Sequence, residues 1–302
     1  MSRAALALLL CGQMGCLDSP PVSTSDDSDA GGPDAALPDG GDGKPHSLQF
    51  FGNTYQENGI DRVWLPAWRP NPVGRVGDAN FTVEMWLKAE AADIPDTGAC
   101  PSPWWMGTIV LDREFYDAPQ NGNIGMALYR AGETTGVVIG FTVAGPPPLT
   151  LCGDVPVADG QWHHVAMTRD NSDKVILWID GHSDAAQVGP PGDGSFAMEL
   201  AGETEADRYL VLGGPKQEGD VRPGFTGFID DLRISNRDLY DAAFIPPAVP
   251  LEVDILYTLA LHTFDEGAGN ATHNLGRDLG DGELRVGGDP TGPVYSDDVP
   301  AP

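Results

Sequence analysis

The chain has 302 residues and a formal net charge of −28, from 45 acidic against 17 basic side chains. That excess of carboxylates excludes nucleic acid and an anionic membrane surface as partners, because both attract basic protein faces. It suits a secreted, soluble surface or one that takes calcium, and the 39 Gly and 27 Pro fit many short strands joined by turns.

In chain order, residues 1–16 read as a targeting segment: Arg3 supplies a positive charge, residues 4–10 a short apolar core, and Gly15 a small residue before Cys16. The apolar run is too short to span a bilayer. Met14-Gly15-Cys16 resembles the end of a bacterial lipoprotein signal, in which the cysteine is lipidated; Gln13 stands where that pattern usually has Leu, so plain secretion stays open. Residues 17–45 form an acidic linker, with seven aspartates and almost no large apolar side chain between residues 18 and 44. Such a segment cannot bury enough to fold, and its self-repulsion extends it. Once Cys11 and Cys16 are assigned to the signal, Cys100 and Cys152 are an even pair in an exported domain and predict a disulfide. In the chain-entropy picture, closing a loop of about 50 residues contributes roughly 4 kcal/mol.

From residue 47 the sequence reads as short strands: 47–51, 62–65, 81–88, 108–112, 125–130, 136–143, 161–169, 174–180, 208–213 and 224–235. In DGQWHHVAMTRDNSDKVILWIDG, residues 159–181, four turn-forming residues separate two apolar runs, which is a hairpin signal. Along its first strand Trp162, His164, Ala166 and Thr168 share one face and His163, Val165, Met167 and Arg169 the other. The adjacent histidines therefore cannot chelate one ion together. In residues 81–88, Phe81, Val83, Met85 and Leu87 belong to the core face, with Trp86 opposite. Helical periodicity is scarce, and 238–244 is the best short helical turn. Regular short strands in a domain of this size indicate a sandwich or barrel.

The ordered pieces SLQFFG at 47, FTVEMWLKA at 81, DGQWHHVAMTRD with ILWIDG at 159–181, LVLGG at 210 and GFIDDLRISNRDL at 227 resemble laminin G-like, or concanavalin A-like, domains. The resemblance implies an all-β fold, a two-sheet antiparallel jelly-roll β-sandwich over residues 46–302, with ligands on the concave face or at rim loops. It also implies that Trp162 and the two histidines are structural. The tail LALHTFDEGAGNATHNLG, 259–276, resembles a segment that elsewhere precedes the first strand. Two readings stay open: residues 251–302 are a permuted part of the same sandwich, or the start of a second module.

For chemistry, glycosidases need two carboxyl groups at fixed separation, and the Glu-x-Asp-x-x-Glu strand motif of glucanases with this fold is absent. Asp112-Arg113-Glu114 is a poor substitute that reads more simply as surface charge, so no catalytic residue is assigned and the chain is expected not to be an enzyme. Calcium is the expected cofactor, if any is bound. The loop after Leu212-Gly213 corresponds in position to the calcium loop of pentraxins but reads GPKQEGD and does not keep their Glu-Gln-Asp site; it still offers Glu218 and Asp220, and Asp230 and Asp231 sit where a strand begins. Sugar binding needs exposed aromatic faces with polar neighbours. Trp104 and Trp105 are the candidates, with Tyr116 and Trp68 as helpers; the alternative is that the pair caps the sandwich over the disulfide. Trp86, Trp162 and Trp178 lie in strand patterns and are expected in the core. The function expected is a lipid-anchored or secreted bacterial envelope module that binds carbohydrate or an extracellular protein, against a glycan-cleaving hydrolase or a purely structural domain.

Overall fold

The computed structural model describes residues 43–53, 61–67, 76–114, 122–143, 145–194, 209–216, 224–277 and 280–301. The signal segment with Cys16, all but the last three residues of the linker, and Trp68, Tyr116, Glu218 and Asp220 lie outside them.

Two antiparallel sheets face each other. The first runs β10 (His182–Val188), β9 (Lys174–Ile179), β8 (Asp159–Arg169), β3 (Phe81–Glu90), β12 (Thr226–Ser235), β1 (Ser47–Phe51) and β16 (Val294–Ser296), with β13 (Thr258–His262) also on β12. The second runs β14 (Ala271–Thr272), β15 (Gly282–Arg285), β2 (Arg62–Pro66), β11 (Tyr209–Leu212), β4 (Thr108–Arg113), β5 (Ile124–Ala131), β6 (Thr134–Phe141) and β7 (Leu149–Cys152). The core between them follows from period-2 alternation. Phe81, Val83, Met85 and Leu87 of β3 and Val165 and Met167 of β8 meet Ile124, Met126 and Leu128 of β5 and Val137, Ile139 and Phe141 of β6.

Every strand read from the sequence is present, within a residue or two at its ends. Strands β7, β10 and β13–β16 were not foreseen. β10, His-Ser-Asp-Ala-Ala-Gln-Val, is an edge strand with mostly exposed side chains, so it lacks the apolar alternation that marks a strand. Residues 238–244 are not helical. They lie without regular secondary structure over the outer face of the first sheet and bend at Asp241 and Ala242, so that Tyr240 and Phe244 stack at 3.6 Å beside Trp178, and the Phe244 N–H bonds the Gly181 carbonyl. Their i, i+4 spacing imitates a helix face. Of the three strand tryptophans, Trp178 is buried, while Trp86 and Trp162 are half-buried on that outer face.

The last fifty residues supply strands to both sheets: β13 pairs with β12, β16 with β1, and β15 with β2. Leu259, Phe264 and Leu284 join the core. Because β1 and β16 are neighbours, the two ends of the described fold meet in one sheet.

Candidate functional site

The outer face of the second sheet is covered at one end by the segment that carries Trp104 and Trp105. The Cys100–Cys152 disulfide forms and ties this segment to β7. Trp104 is fully buried, a correction to its expected role as an exposed sugar platform. Gly125 of β5 and Gly140 of β6 are direct partners across the ladder, and a Cβ on either would overlap the Trp104 indole. The two bare backbone positions make a slot that the ring fills, with Ile109, Ala127, Tyr129 and Val138 around it. Trp105 packs edge-on against it at 6.0 Å and stays half-buried. Capping over the disulfide is what the pair does.

The other end of this face carries an aromatic group that sequence reasoning passed over. Trp64 on β2 is flanked by Tyr209 of β11, ring centroids 5.0 Å apart, and by the Arg285 guanidinium of β15, 4.2 Å from the ring centre. Glu283, two residues back on β15 and therefore on the same face, sits with Oε1 3.4 Å from Arg285 Nε. Tyr209 is half-buried and Glu283 has a 48 % exposed side chain. Among the described residues, neither the Tyr209 hydroxyl nor the terminal nitrogens of Arg285 make a hydrogen bond. Trp64 itself is buried, 6 % exposed, between Tyr209 and Arg285, so what faces solvent is the half-buried Tyr209 ring with the Arg285 terminal nitrogens and the half-exposed Glu283 carboxylate, an aromatic surface with polar groups at its border of the kind a polyol ligand uses. The signal was a Trp at the centre of the 62–65 strand, whose partners arrive from far along the chain.

Between the two ends lies the Asp112-Arg113-Glu114 corner. All three side chains are buried, which corrects the surface-charge reading. Asp112 accepts the Glu114 N–H at 2.7 Å and the Lys216 N–H at 2.9 Å, one on each oxygen. It thereby ties the end of β4 to the segment after β11. Arg113, on the opposite face, donates to the carbonyls of Val76 and Gly122, and burial pulls its pKa down to about 9.

Asp230 and Asp231 are not rim acids. β1 pairs with β12 up to Ile229 and β13 from Leu232 onward, so the two aspartates occupy the split between those neighbours, at 4 % and 1 % exposure. Asp231 has φ 49° and accepts the Leu251 N–H at 2.7 Å; Asp230 accepts the Asp231 N–H at 2.9 Å. Burial, then the nearby Asp231 and Asp265 charges, push Asp230 up to about 9. Burial also pushes Asp231 up to about 7, against the Leu251 hydrogen bond. A calcium site needs six or more converging oxygens. Among the described residues no three His, Cys, Asp or Glu side chains are grouped to hold a metal ion, and these two aspartates serve backbone N–H groups instead.

The two histidines diverge as the alternation requires. His163 lies between Asp180 Oδ2 at 2.7 Å and Asp159 Oδ1 at 3.1 Å, and the Asp180 hydrogen bond raises its pKa. His164, fully buried, bonds Glu84 Oε2 at 3.0 Å. Glu84 also receives Arg233 Nε at 2.8 Å and the Tyr240 hydroxyl at 2.6 Å. Burial alone would raise the Glu84 pKa, but the His164 hydrogen bond and the Arg233 charge outweigh it and hold the carboxyl below its ordinary value.

A sequence profile described as the Concanavalin A-like lectin/glucanases superfamily matches residues 69–243, more than half of the chain. No curated protein matches by sequence. Solved structures with a similar chain course include a Bacteroides ovatus protein proposed as a carbohydrate binding protein, at 14% identity and TM-score 0.47, covering 80% of this chain and 58% of that one. The present chain therefore spans less than two thirds of that structure's length. Others are the CBM40 of the Ruminococcus gnavus IT-sialidase with α2,3 sialyllactose bound, at 16% identity and TM-score 0.43, covering 66% and 92%, and domains LG4-5 of the mouse laminin alpha1 chain, at 13% and 0.39, covering 68% and 48%. With the profile covering most of the sandwich and both sheets in place, the chain belongs to the concanavalin A-like lectin/glucanases superfamily.

Proposed function

We propose that this chain is a non-catalytic binding module, held outside a bacterial cell by its N-terminal segment and lipidated at Cys16, which recognises carbohydrate through the outer face of its second sheet. The observation that carries the reading is the Tyr209–Trp64–Arg285 group with Glu283 beside it. The half-buried Tyr209 ring, supported by the buried Trp64, has unsatisfied donors and a half-exposed carboxylate near it, and sugar rings pack C–H faces on aromatic rings while their hydroxyls need directional partners. A protein ligand is the second reading, favoured by the exposed apolar side chains Ile245, Ile255 and Leu256 away from this face. A hydrolase is disfavoured because both oxygens of Asp112 already accept backbone N–H groups. Calcium belongs to the proposal only through Glu218 and Asp220.

A glycan-array screen of the full chain, with and without a chelator, tests the reading. The expected result is glycan binding that Tyr209→Ala abolishes, with calcium dependence if Glu218 and Asp220 hold the ion. Binding that Tyr209→Ala leaves intact would move the site off this face. Release of reducing sugar from polysaccharide, lost in Asp112→Asn, would establish the hydrolase.

A further inference from the structure

We infer that the ligand of this face is a neutral saccharide, read at two neighbouring hydroxyls by Arg285 as donor and Glu283 as acceptor. The inference rests on the carbohydrate reading above and adds the charge class and the specificity residues.

The two side chains project from one strand face, two residues apart, because side chains alternate along β15. Arg285 is oriented by its stack on Trp64, 4.2 Å from the ring centre, where a guanidinium gains from the ring quadrupole. Its Nε edge turns to Glu283 at 3.4 Å, so the cation is already matched by a local anion. The terminal nitrogens have no acceptor among the described residues, and Glu283 keeps about half of its side chain in solvent. A donor fork and a carboxylate therefore stand together beside the Trp64 ring, on the side away from Tyr209. Each sugar hydroxyl is one donor and an acceptor, so adjacent hydroxyls satisfy both protein groups at once. Hydrogen bonds to charged groups are the stronger kind.

An acidic sugar fits worse. Its carboxylate would pair with Arg285 only within reach of Glu283, and would approach a chain of net charge −28. Like charges opposed at a binding face are how wrong partners are rejected. Screening over about 8 Å at physiological salt weakens the distant field but leaves the Glu283 contact in force.

The test uses the full chain, titrated calorimetrically with neutral gluco-, galacto- and xylo-oligosaccharides and with the glucuronate and galacturonate counterparts of the first two. The expected result is that a neutral probe binds and its carboxylated counterpart binds at least about tenfold more weakly. Glu283→Gln should remove most of that discrimination, because the amide keeps an acceptor and loses the charge. Arg285→Lys, which keeps the charge but not the fork, should weaken the neutral probe about tenfold. Melting curves of both variants should match the parent, since neither side chain is in the core. A carboxylated probe that binds as tightly as the neutral one, with Tyr209→Ala abolishing both, overturns the neutral-ligand inference and leaves the binding face standing. Discrimination unchanged in Glu283→Gln also overturns it. No binding by any probe sinks the carbohydrate reading together with the inference.

Discussion

Glu84 and Asp230 are buried carboxyls on adjacent strands of the first sheet, and their surroundings set them to opposite charge states. Glu84 has three donors, from His164, Arg233 and Tyr240, and stays ionised. Removing it takes the carboxylate partner from the largely buried Arg233 guanidinium and the hydrogen-bond partner from the buried His164, so Glu84→Ala should cost ~3–5 kcal/mol in urea denaturation; a loss below about 1 kcal/mol would show the network to be dispensable. Asp230 has burial and two acidic neighbours instead, and its pKa is pushed up to about 9. A raised folded-state pKa means the folded chain holds a proton that the unfolded chain releases above about pH 4. Its stabilising effect is therefore full below that point and is lost as pH rises through about 9. Asp230→Asn keeps the acceptor for the Asp231 N–H and removes the titration. The drop in Tm between about pH 5 and pH 9 should shrink by at least ~3 °C, the equivalent of ~1 kcal/mol in a chain of this size. His163, raised by Asp180, also loses stability as pH rises, and this remains in the variant as an internal control.

At the scale of elements, β5 and β6 form a paired ladder whose outer face is cut by Gly125 opposite Gly140, and Trp104 lies in the cut. Gly140→Ala should destabilise by ~1–3 kcal/mol or more, because a methyl there meets the indole rather than open space. Trp104→Ala should cost ~3–5 kcal/mol by emptying the slot. Denaturant midpoints of the two variants check both. A Gly140→Ala chain as stable as the parent would mean that the indole leaves the slot at little cost. β12 shows a related economy in its ladder: two short strands share one side of it, and the split between them is closed by Asp231 accepting the Leu251 N–H and Asp265 accepting the His46 N–H.

Across the whole molecule, the last fifty residues contribute to both sheets, so their removal opens the core along β12, β1 and β2 together. A chain ending at Pro250 loses Leu259, Phe264 and Leu284 from that core. Side chains of this size are each worth ~2–5 kcal/mol when deleted, and the three together, ~6–15 kcal/mol, are comparable with the whole 5–15 kcal/mol stability of a usual domain. No cooperative melting transition is expected, by calorimetry or circular dichroism. An unchanged Tm would instead make the tail a detachable appendage.

The pattern Phe81-Thr82-Val83-Glu84-Met85-Trp86-Leu87 shows how much of the fold was legible, since its alternation assigns each side chain to a face without any partner strand. The hairpin of β8 and β9 was legible for the same reason, its turn chemistry being local. The site was not. Trp104 reads as an exposed loop aromatic until Gly125 and Gly140 are paired across a ladder. Asp112 reads as a surface charge until the Lys216 N–H reaches it from a remote segment. Tyr209, Trp64 and Arg285 are three unremarked residues until β11 and β15 flank β2. What the sequence determined by itself was the strands, their faces and the sandwich, because side-chain alternation and turn propensity act over a few bonds. Only the tertiary structure decided which outward side chains are covered, which buried acids find donors and which aromatic remains available, because those outcomes depend on contacts between segments that the chain order keeps far apart.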